Sequence, residues 1–198
     1  MDNSNITAVP FNYHTKVISQ KAFNNHITLY HGYVDKTNEI TKKLATVSDA
    51  DLNAANATYS LYRGLKCGER FALDGVILHE LYFQNLVSKK SEIGAKTDSL
   101  MQLYFGGYKN WQNAFTASAK SARGWCILAY DQRTKSCRNI VTDSHDDGLV
   151  CGMYPLLVLD MYEHAYMTDF GIDKASYITK FIENVPWDVV EKRASVLM

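Results

Sequence analysis

The sequence predicts an α+β protein, in which a helical first part is followed by a part that mixes helices and strands. Apolar residues recur at helical spacing before residue 90, whereas WCILAY and CRNIVT are later β-rich runs joined by the polar loop DQRTK. With 198 residues, 46% of them hydrophobic, the chain can bury a sizeable core. We therefore predict an N-terminal helical domain at residues 1–90 and a C-terminal α+β domain at residues 91–198.

Three helices are predicted in the first part. The first follows Ser19, and one of its faces carries residues spaced by three or four, namely Phe23, Ile27, Tyr30, Val34 and Thr37. Ser48 and Asp49 form an N-cap signal before ADLNAANATYSLYRGL, which we interpret as the second helix. The third covers roughly residues 71–87 and contains GVILHELYFQNL.

The second part begins with helices and continues with strands. We predict two short helices, three strands and a helical tail, at residues 98–105, 108–119, 125–130, 137–142, 153–160 and 161–193. Gly106 and Gly107 separate the two helices, and Pro186 interrupts the tail.

Composition excludes several classes of function. Lys+Arg and Asp+Glu are both 21, so no basic face for nucleic acid is indicated. No apolar run approaches the roughly 18 residues of a membrane span, and the N-terminus lacks a signal-peptide pattern, so we predict a cytoplasmic protein. The four cysteines include no C-x-x-C pair, which favours free thiols, mostly buried, over a zinc or redox motif.

Three of the six histidines lie in apolar surroundings, where an unpaired imidazole is costly. They are His26 on the first helix, His79 within VILHELYF, and His164, which follows Asp160 by four residues. Each alone is explained as a core histidine bonded to a neighbour. Together with the Asp160 carboxylate they offer three nitrogens and one oxygen, a set that suits Mn, Fe, Zn or Cu rather than Ca or Mg.

Several segments resemble the iron/manganese superoxide dismutases. LDMYEHAY is similar to the Asp-x-Trp-Glu-His-Ala-Tyr signature of that family. FGGYKNWQNAF, GWCILAYD, PWDVVEKR and the HELYFQNL context of His79 resemble further family segments, in the same order. The correspondence runs from about Val9 to Arg193, which is nearly the whole chain.

The resemblance implies the roles of individual residues. It makes His26, His79, Asp160 and His164 the ligands of one Mn or Fe ion per subunit. It places Tyr30 and Tyr33 at the gate of the substrate funnel, and Trp125 and Tyr162 as aromatic walls beside the metal. It also assigns Glu163 and Tyr166 to a homodimer contact, in which Glu163 reaches the ligand His164 of the other subunit. It makes Lys174 the position best placed for a cation near the substrate, with a plain surface lysine as the safer alternative.

The resemblance also implies a fold and a reaction. The fold is an N-terminal helical hairpin followed by a domain whose three-stranded antiparallel sheet is flanked by helices. The reaction is the disproportionation of superoxide, a small anionic substrate, with neither nucleic acid nor membrane as a partner.

The first helix departs from the family pattern. The family has His-x-x-x-His-x-x-x-Tyr, whereas this chain has His26, Tyr30 and Tyr33, so the gate histidine is replaced and the gate tyrosine comes one residue early. His31 is an alternative ligand if the helix is out of register. It is disfavoured because it lies roughly 140° around the helix from His26. The signature tryptophan is also changed, to Tyr162.

A glutamine that the family places against the metal-bound solvent is missing. One of its two positions is Gly75, four residues before His79, and the other lies in TDSHDDG. His145 is the obvious substitute, and its ring could titrate near neutral pH. The alternative is a surface histidine in a polar loop. Because metal preference in the family follows this neighbourhood, the sequence does not choose between Mn and Fe.

Two other classes of function compete with a dismutase. A mononuclear non-haem iron oxygenase needs two or more open metal positions, and a fourth protein ligand leaves too little room for them. A non-catalytic relative that binds metal or a partner is compatible with the changed gate and solvent positions, although the intact ligand set argues against it.

Overall fold

The computed structural model describes residues 5–87, 89–147 and 151–197. Its first part contains α1 (Gln20–Ala45), α2 (Asp49–Asn53) and α3 (Leu61–Val87). The Ser19 hydroxyl accepts a hydrogen bond from the amide of Ala22, so the predicted N-cap of the first helix is confirmed.

The predicted second helix is wrong in its extent, because α2 ends at Asn53 and α3 begins at Leu61. Asn56 explains the break. Its side-chain oxygen accepts hydrogen bonds from the amides of Thr58 and Tyr59, and this local turn competes with continued helix. Ser60 then accepts a hydrogen bond from the amide of Arg63 and starts α3 ten residues earlier than predicted.

The remaining elements follow the predicted order. They are α4 (Ala95–Phe105), α5 (Tyr108–Ser121), β1 (Trp125–Asp131), β2 (Ser136–Thr142), β3 (Met153–Asp160), α6 (Glu163–Phe170), α7 (Lys174–Glu183) and α8 (Trp187–Leu197). Gly106 and Gly107 separate α4 from α5 with φ angles of 73° and 114°, a backbone conformation that favours glycine.

The three strands form one antiparallel sheet in the order β2-β1-β3. In the central strand β1 all seven residues are buried, because the sheet is flanked by helices. The predicted α+β fold, with helices preceding a three-stranded antiparallel sheet, is therefore confirmed.

One apolar core joins the two parts of the chain. Helix α3 packs against α1 and β3, and α1 also packs against α6, so these four elements converge at the centre of the protein. The domain boundary at residue 90 stays a prediction. Within the described parts of the chain, none of the helices has the length and apolar composition needed to cross a bilayer.

Candidate metal centre

The four predicted ligands come together where these four elements converge. His26 lies on α1, His79 on α3, Asp160 at the end of β3 and His164 in the first turn of α6. Each offers one nitrogen or carboxylate oxygen, and these four atoms all lie within 4.8 Å of one another. Residues that are distant in sequence thus form a single three-nitrogen, one-oxygen cluster.

The cluster is buried on the side of the helical hairpin and more open at α6. His26, His79 and Asp160 are at most 1% exposed, whereas the side chain of His164 is 32% exposed. The Asp160 carboxylate is the centre of the cluster. Its Oδ2 lies 3.1 Å from His26 Nε2, 3.2 Å from His164 Nε2 and 3.7 Å from His79 Nε2.

The hydrogen bonding of His79 leaves a lone pair pointing into the cluster. Its Nδ1–H donates to the backbone oxygen of Gly75 at 2.6 Å, which makes Nε2 the unprotonated nitrogen. Among the described residues this buried Nε2 has no hydrogen-bond partner. Two acceptors, Nε2 and the Asp160 carboxylate, therefore face each other, an arrangement that a cation would stabilise.

The protonation states also suit a metal. Burial, and to a smaller extent the nearby His26, lowers the pKa of His79 to about 3, so the imidazole is neutral at physiological pH. Burial likewise lowers the pKa of His26. Burial alone would raise the pKa of Asp160, but hydrogen bonds with His164 and His26 hold it well below its usual range. His79 and His26 are thus neutral and Asp160 is ionised, which are the forms in which these groups bind metals.

The alternative ligand His31 lies outside the cluster. Its side chain is exposed, and the four clustered residues do not include it. The register in which His26 faces α3 is therefore the one that the structure adopts.

Known proteins are similar in sequence to this chain over most of its length. The model of the C-terminal domain of iron/manganese superoxide dismutases matches residues 94–193. The iron superoxide dismutase of Aquifex pyrophilus is 42% identical over 167 residues, which are 83% of this chain and 78% of that protein. Superoxide dismutase [Mn] 1 of Halobacterium salinarum is 34% identical over 171 residues, which are 85% of this chain and 82% of that protein. The chain belongs to the iron/manganese superoxide dismutase family. The resemblance found in the sequence is thereby confirmed.

In this member of the iron/manganese superoxide dismutase family, His145, the residue expected to substitute for the glutamine, is buried. His145 is 2% exposed, so the alternative of a surface loop residue is wrong. Its Nδ1 accepts a hydrogen bond from Trp125 Nε1 at 3.0 Å, and its Nε2 lies 2.7 Å from the hydroxyl oxygen of Tyr33. Because the indole can only donate, His145 carries its hydrogen on Nε2 and donates it to Tyr33.

The same contacts correct the expectation that His145 titrates near neutral pH. Burial lowers its pKa to about 4. A second proton would have to go on Nδ1, where Trp125 already donates. His145 therefore stays neutral and keeps one tautomer, as an amide would.

The rings of Trp125 and Tyr162 lie beside two of the clustered histidines. The Trp125 ring meets the His79 ring edge-to-face at a centroid distance of 5.0 Å. The Tyr162 ring stacks on His164 at 5.3 Å. Tyr33 lies 5.3 Å from His79, measured between ring centroids.

Tyr30 does not lie at an opening, so its predicted place at the mouth of a funnel is wrong. The side chain is 0% exposed. Its hydroxyl donates to Glu80 at 2.7 Å and accepts from the amide of Val9 at 2.9 Å, which joins α1, α3 and the N-terminal segment.

Lys174 is also placed differently from the expectation. Its ammonium group donates to the backbone oxygens of Ala122 at 2.6 Å and Lys120 at 3.4 Å. These carbonyls lie at the C-terminal end of α5, where a cation is favourable. The contact explains the residue as a helix-terminal cation rather than as a group that faces substrate.

Tyr82 and Tyr177 are site residues that the sequence analysis missed. The Tyr82 ring lies 5.1 Å from that of His26, and its hydroxyl shares a 2.9 Å hydrogen bond with Tyr177. Tyr177 in turn donates to the backbone oxygen of Asp160 at 3.0 Å. Tyr82 follows His79 by three residues on a helix, a spacing that could have identified it. Tyr177 comes from α7, and no local pattern connects it with the site.

Gly75 leaves room for Tyr33, which gives a testable prediction. A Cβ at position 75 would lie 2.9 Å and 3.0 Å from two atoms at the base of the Tyr33 ring. We expect Gly75→Ala to displace the ring from His145 and lower activity. We also expect a net loss of unfolding free energy, since overpacking costs about 1–3 kcal/mol and alanine regains only about 0.5–1 kcal/mol in a helix. Thermal unfolding and a superoxide-scavenging assay measure the two effects.

Gly64→Ala is the matched control on the same helix. A Cβ there meets nothing within 4 Å, so this variant should be as active as wild type and slightly more stable. Equal stability and activity in both variants would contradict the role assigned to Gly75.

Proposed function

We propose that this protein is a superoxide dismutase that holds one manganese or iron ion between His26, His79, Asp160 and His164. One observation carries the proposal. The buried, unprotonated Nε2 of His79 lies 3.7 Å from the Oδ2 of Asp160, so two hydrogen-bond acceptors face each other with no hydrogen between them. Membership of the family supports both the choice of ion and the reaction. The reaction converts two superoxide ions and two protons into dioxygen and hydrogen peroxide.

The ion, when bound, supplies the redox chemistry, because manganese and iron each exchange one electron between divalent and trivalent states. The chain supplies the charge balance. Neutral imidazoles and one carboxylate contribute a single negative charge, so a site occupied by such an ion stays positive. A positive centre attracts a small anion and needs no large binding surface.

The Tyr33 hydroxyl is the proton donor that we assign to the site. Because His145 donates to its oxygen, the hydroxyl hydrogen is not used in that bond and can point to a molecule at the cluster. Burial and the nearby Asp160 raise the pKa of Tyr33, which keeps the hydroxyl protonated. His145 holds this oxygen in place, and both of its ring nitrogens are engaged, one by Trp125 and one by Tyr33.

The proposal is tested by loading the purified protein separately with manganese and with iron. Elemental analysis should find about one ion per chain, and at least one of the loaded forms should scavenge superoxide catalytically. Bound metal without turnover would instead indicate the non-catalytic alternative. Failure to bind either ion would contradict the assignment of the ligands.

We also propose a homodimer in which Glu163 and Tyr166 lie at the contact. Three features support it. Glu163 is exposed, the neighbouring His164 is the one cluster member that is partly exposed, and Tyr166 lies beside them with its ring stacked on Tyr177 at 5.5 Å. A carboxylate from a second copy could bond to His164 and hold its ring in one orientation.

Glu163→Ala should weaken both association and metal binding. Truncating one member of a buried charged hydrogen bond costs about 2 kcal/mol or more. A symmetric homodimer loses two such bonds, about 4 kcal/mol, which is roughly 1,000-fold in Kd. Sedimentation measures association, and elemental analysis measures retained metal. Glu183→Ala, on α7, is a control for a lost exposed carboxylate. A wild-type protein that is monomeric at micromolar concentration and fully active would contradict this contact.

A cytoplasmic location is proposed from the cysteines. All four are free, which suits a reducing compartment. The prediction that they are mostly buried is only half right, since Cys126 and Cys137 are buried whereas Cys67 and Cys151 are exposed.

A further inference from the structure

The segment that carries His145, residues 143–147, lies against helix α3 through contacts that the metal cluster does not make. We propose that Arg70, on α3, is a positioning residue that holds this segment and thereby places His145 between Trp125 and Tyr33. The inference rests on the proposed dismutase function for its consequence, although the contact itself does not depend on it.

Arg70 forms a salt bridge with Asp146, the residue next to His145. Its Nε and one terminal nitrogen donate to the same carboxylate oxygen of Asp146, at 2.9 Å and 2.8 Å. The other Asp146 oxygen accepts from the Ser144 hydroxyl at 2.8 Å. The Asp146 side chain is only 13% exposed, so its charge depends on these donors more than that of a fully solvated carboxylate.

A second carboxylate, that of Asp74, lies near Asp146, and the positive charge of Arg70 offsets the repulsion between the two. Asp74 lies one turn after Arg70 on α3 and is half-buried. Burial and the negative charge of Asp146 both raise the pKa of Asp74, and Arg70 opposes this effect. Without Arg70 the two carboxylates would repel each other, and the segment would be pushed away from α3.

Phe71, the residue after Arg70, packs directly against the His145 ring. Phe71 meets the His145 ring edge-to-face at a centroid distance of 4.7 Å. The segment is also confined where it begins, because a Cβ at Gly124 would lie 3.0–3.2 Å from backbone atoms of residues 142–144. Because the segment is closely packed, a shift of Asp146 therefore displaces His145 relative to Trp125 and Tyr33.

The first experiment measures whether Arg70 holds the segment. Hydrogen–deuterium exchange of residues 143–147 is followed by mass spectrometry in the metal-loaded protein, for wild type, Arg70→Ala, Arg70→Lys and Lys66→Ala. Lys66 is the matched control, because it is an exposed cation on the same helix that pairs with Glu69 and not with the segment. Arg70→Ala should exchange about fivefold faster than wild type, Arg70→Lys less so, and Lys66→Ala at the wild-type rate.

The second experiment measures whether the contact between Arg70 and Asp146 affects the metal site. With metal content shown to be equal, the visible absorption spectrum of the loaded site and the ratio of Mn to Fe activity should change in Arg70→Ala and not in Lys66→Ala. Asp146→Asn should produce the same change, and the double variant no further one, if Arg70 acts through Asp146.

Two results would overturn the proposal. The first is wild-type exchange in Arg70→Ala. The second is faster exchange with an unchanged spectrum, which would make Arg70 a structural residue only. Absence of dismutase activity in every form, wild type included, would contradict the proposed function instead, and exchange and absorption would still decide the role of Arg70.

Discussion

Replacing Asp160 or His79 with alanine is expected to abolish stable retention of metal. Asp160 is the only anion of the cluster and touches all three imidazoles, while His79 supplies the buried unprotonated nitrogen. Changing a residue that merely orients a ligand typically costs about 10–100-fold in metal affinity, so losing a ligand should cost more than about 100-fold. Elemental analysis after dialysis against a chelator measures the loss.

His31→Gln is the control for this prediction. It removes an imidazole from the same helix as His26, but from an exposed position outside the cluster. Its metal content and activity should match those of wild type. A His31 variant that loses its metal, beside a His26 variant that keeps it, would show that the ligand on the first helix is wrongly assigned.

Replacing His145 with alanine is expected to lower activity by about 10–100-fold while metal content stays near that of wild type. The substitution removes the acceptor of Trp125 and the donor to Tyr33, so the Tyr33 hydroxyl loses its fixed position. None of the four ligands hydrogen-bonds to His145, which is why the ion should remain. Scavenging assays on manganese-loaded and iron-loaded protein, normalised to metal, measure the effect.

His145→Gln tests whether the site needs an imidazole ring or only a hydrogen-bond donor and acceptor at this position. An amide also offers one acceptor and one donor, so it can replace both hydrogen bonds and should recover most of the activity. Its donor lies in a different place from an imidazole N–H, so the ratio of Mn to Fe activity should change. If both variants equalled wild type with either metal, His145 would have no part in the site.

The fold was predictable where the signal is periodic and local. The face of α1 and the β-rich runs of β1 and β2 each carry their pattern within a few residues, and the structure confirms them. The end of α2 was missed because it depends on the side chain of Asn56, whose turn outweighs helix propensity over the following residues.

The site was predictable in its ligand residues and less so in their surroundings. Motif resemblance identified the four clustered residues, whereas the burial of His145 is decided by Phe71, Trp125 and Tyr33 from other elements. The polar residues around His145 in the sequence left a surface loop open as the alternative, whereas the resemblance favoured a ring that points inward. Tyr30 was misplaced for a related reason, since its partners Glu80 and Val9 come from other parts of the chain.

The burial of the cluster has a consequence for how the protein acquires its metal. His26 and Asp160 are 134 residues apart in the chain, so no partial segment contains the complete ligand set. Once the chain has folded, three of the four side chains are almost inaccessible to solvent, so a bound ion is open to solvent only on the side of His164 and should exchange slowly. The protein should therefore retain whichever ion is present while it folds. Its metal content would then record the supply of manganese and iron in the cell at that moment, rather than the equilibrium preference of the finished site.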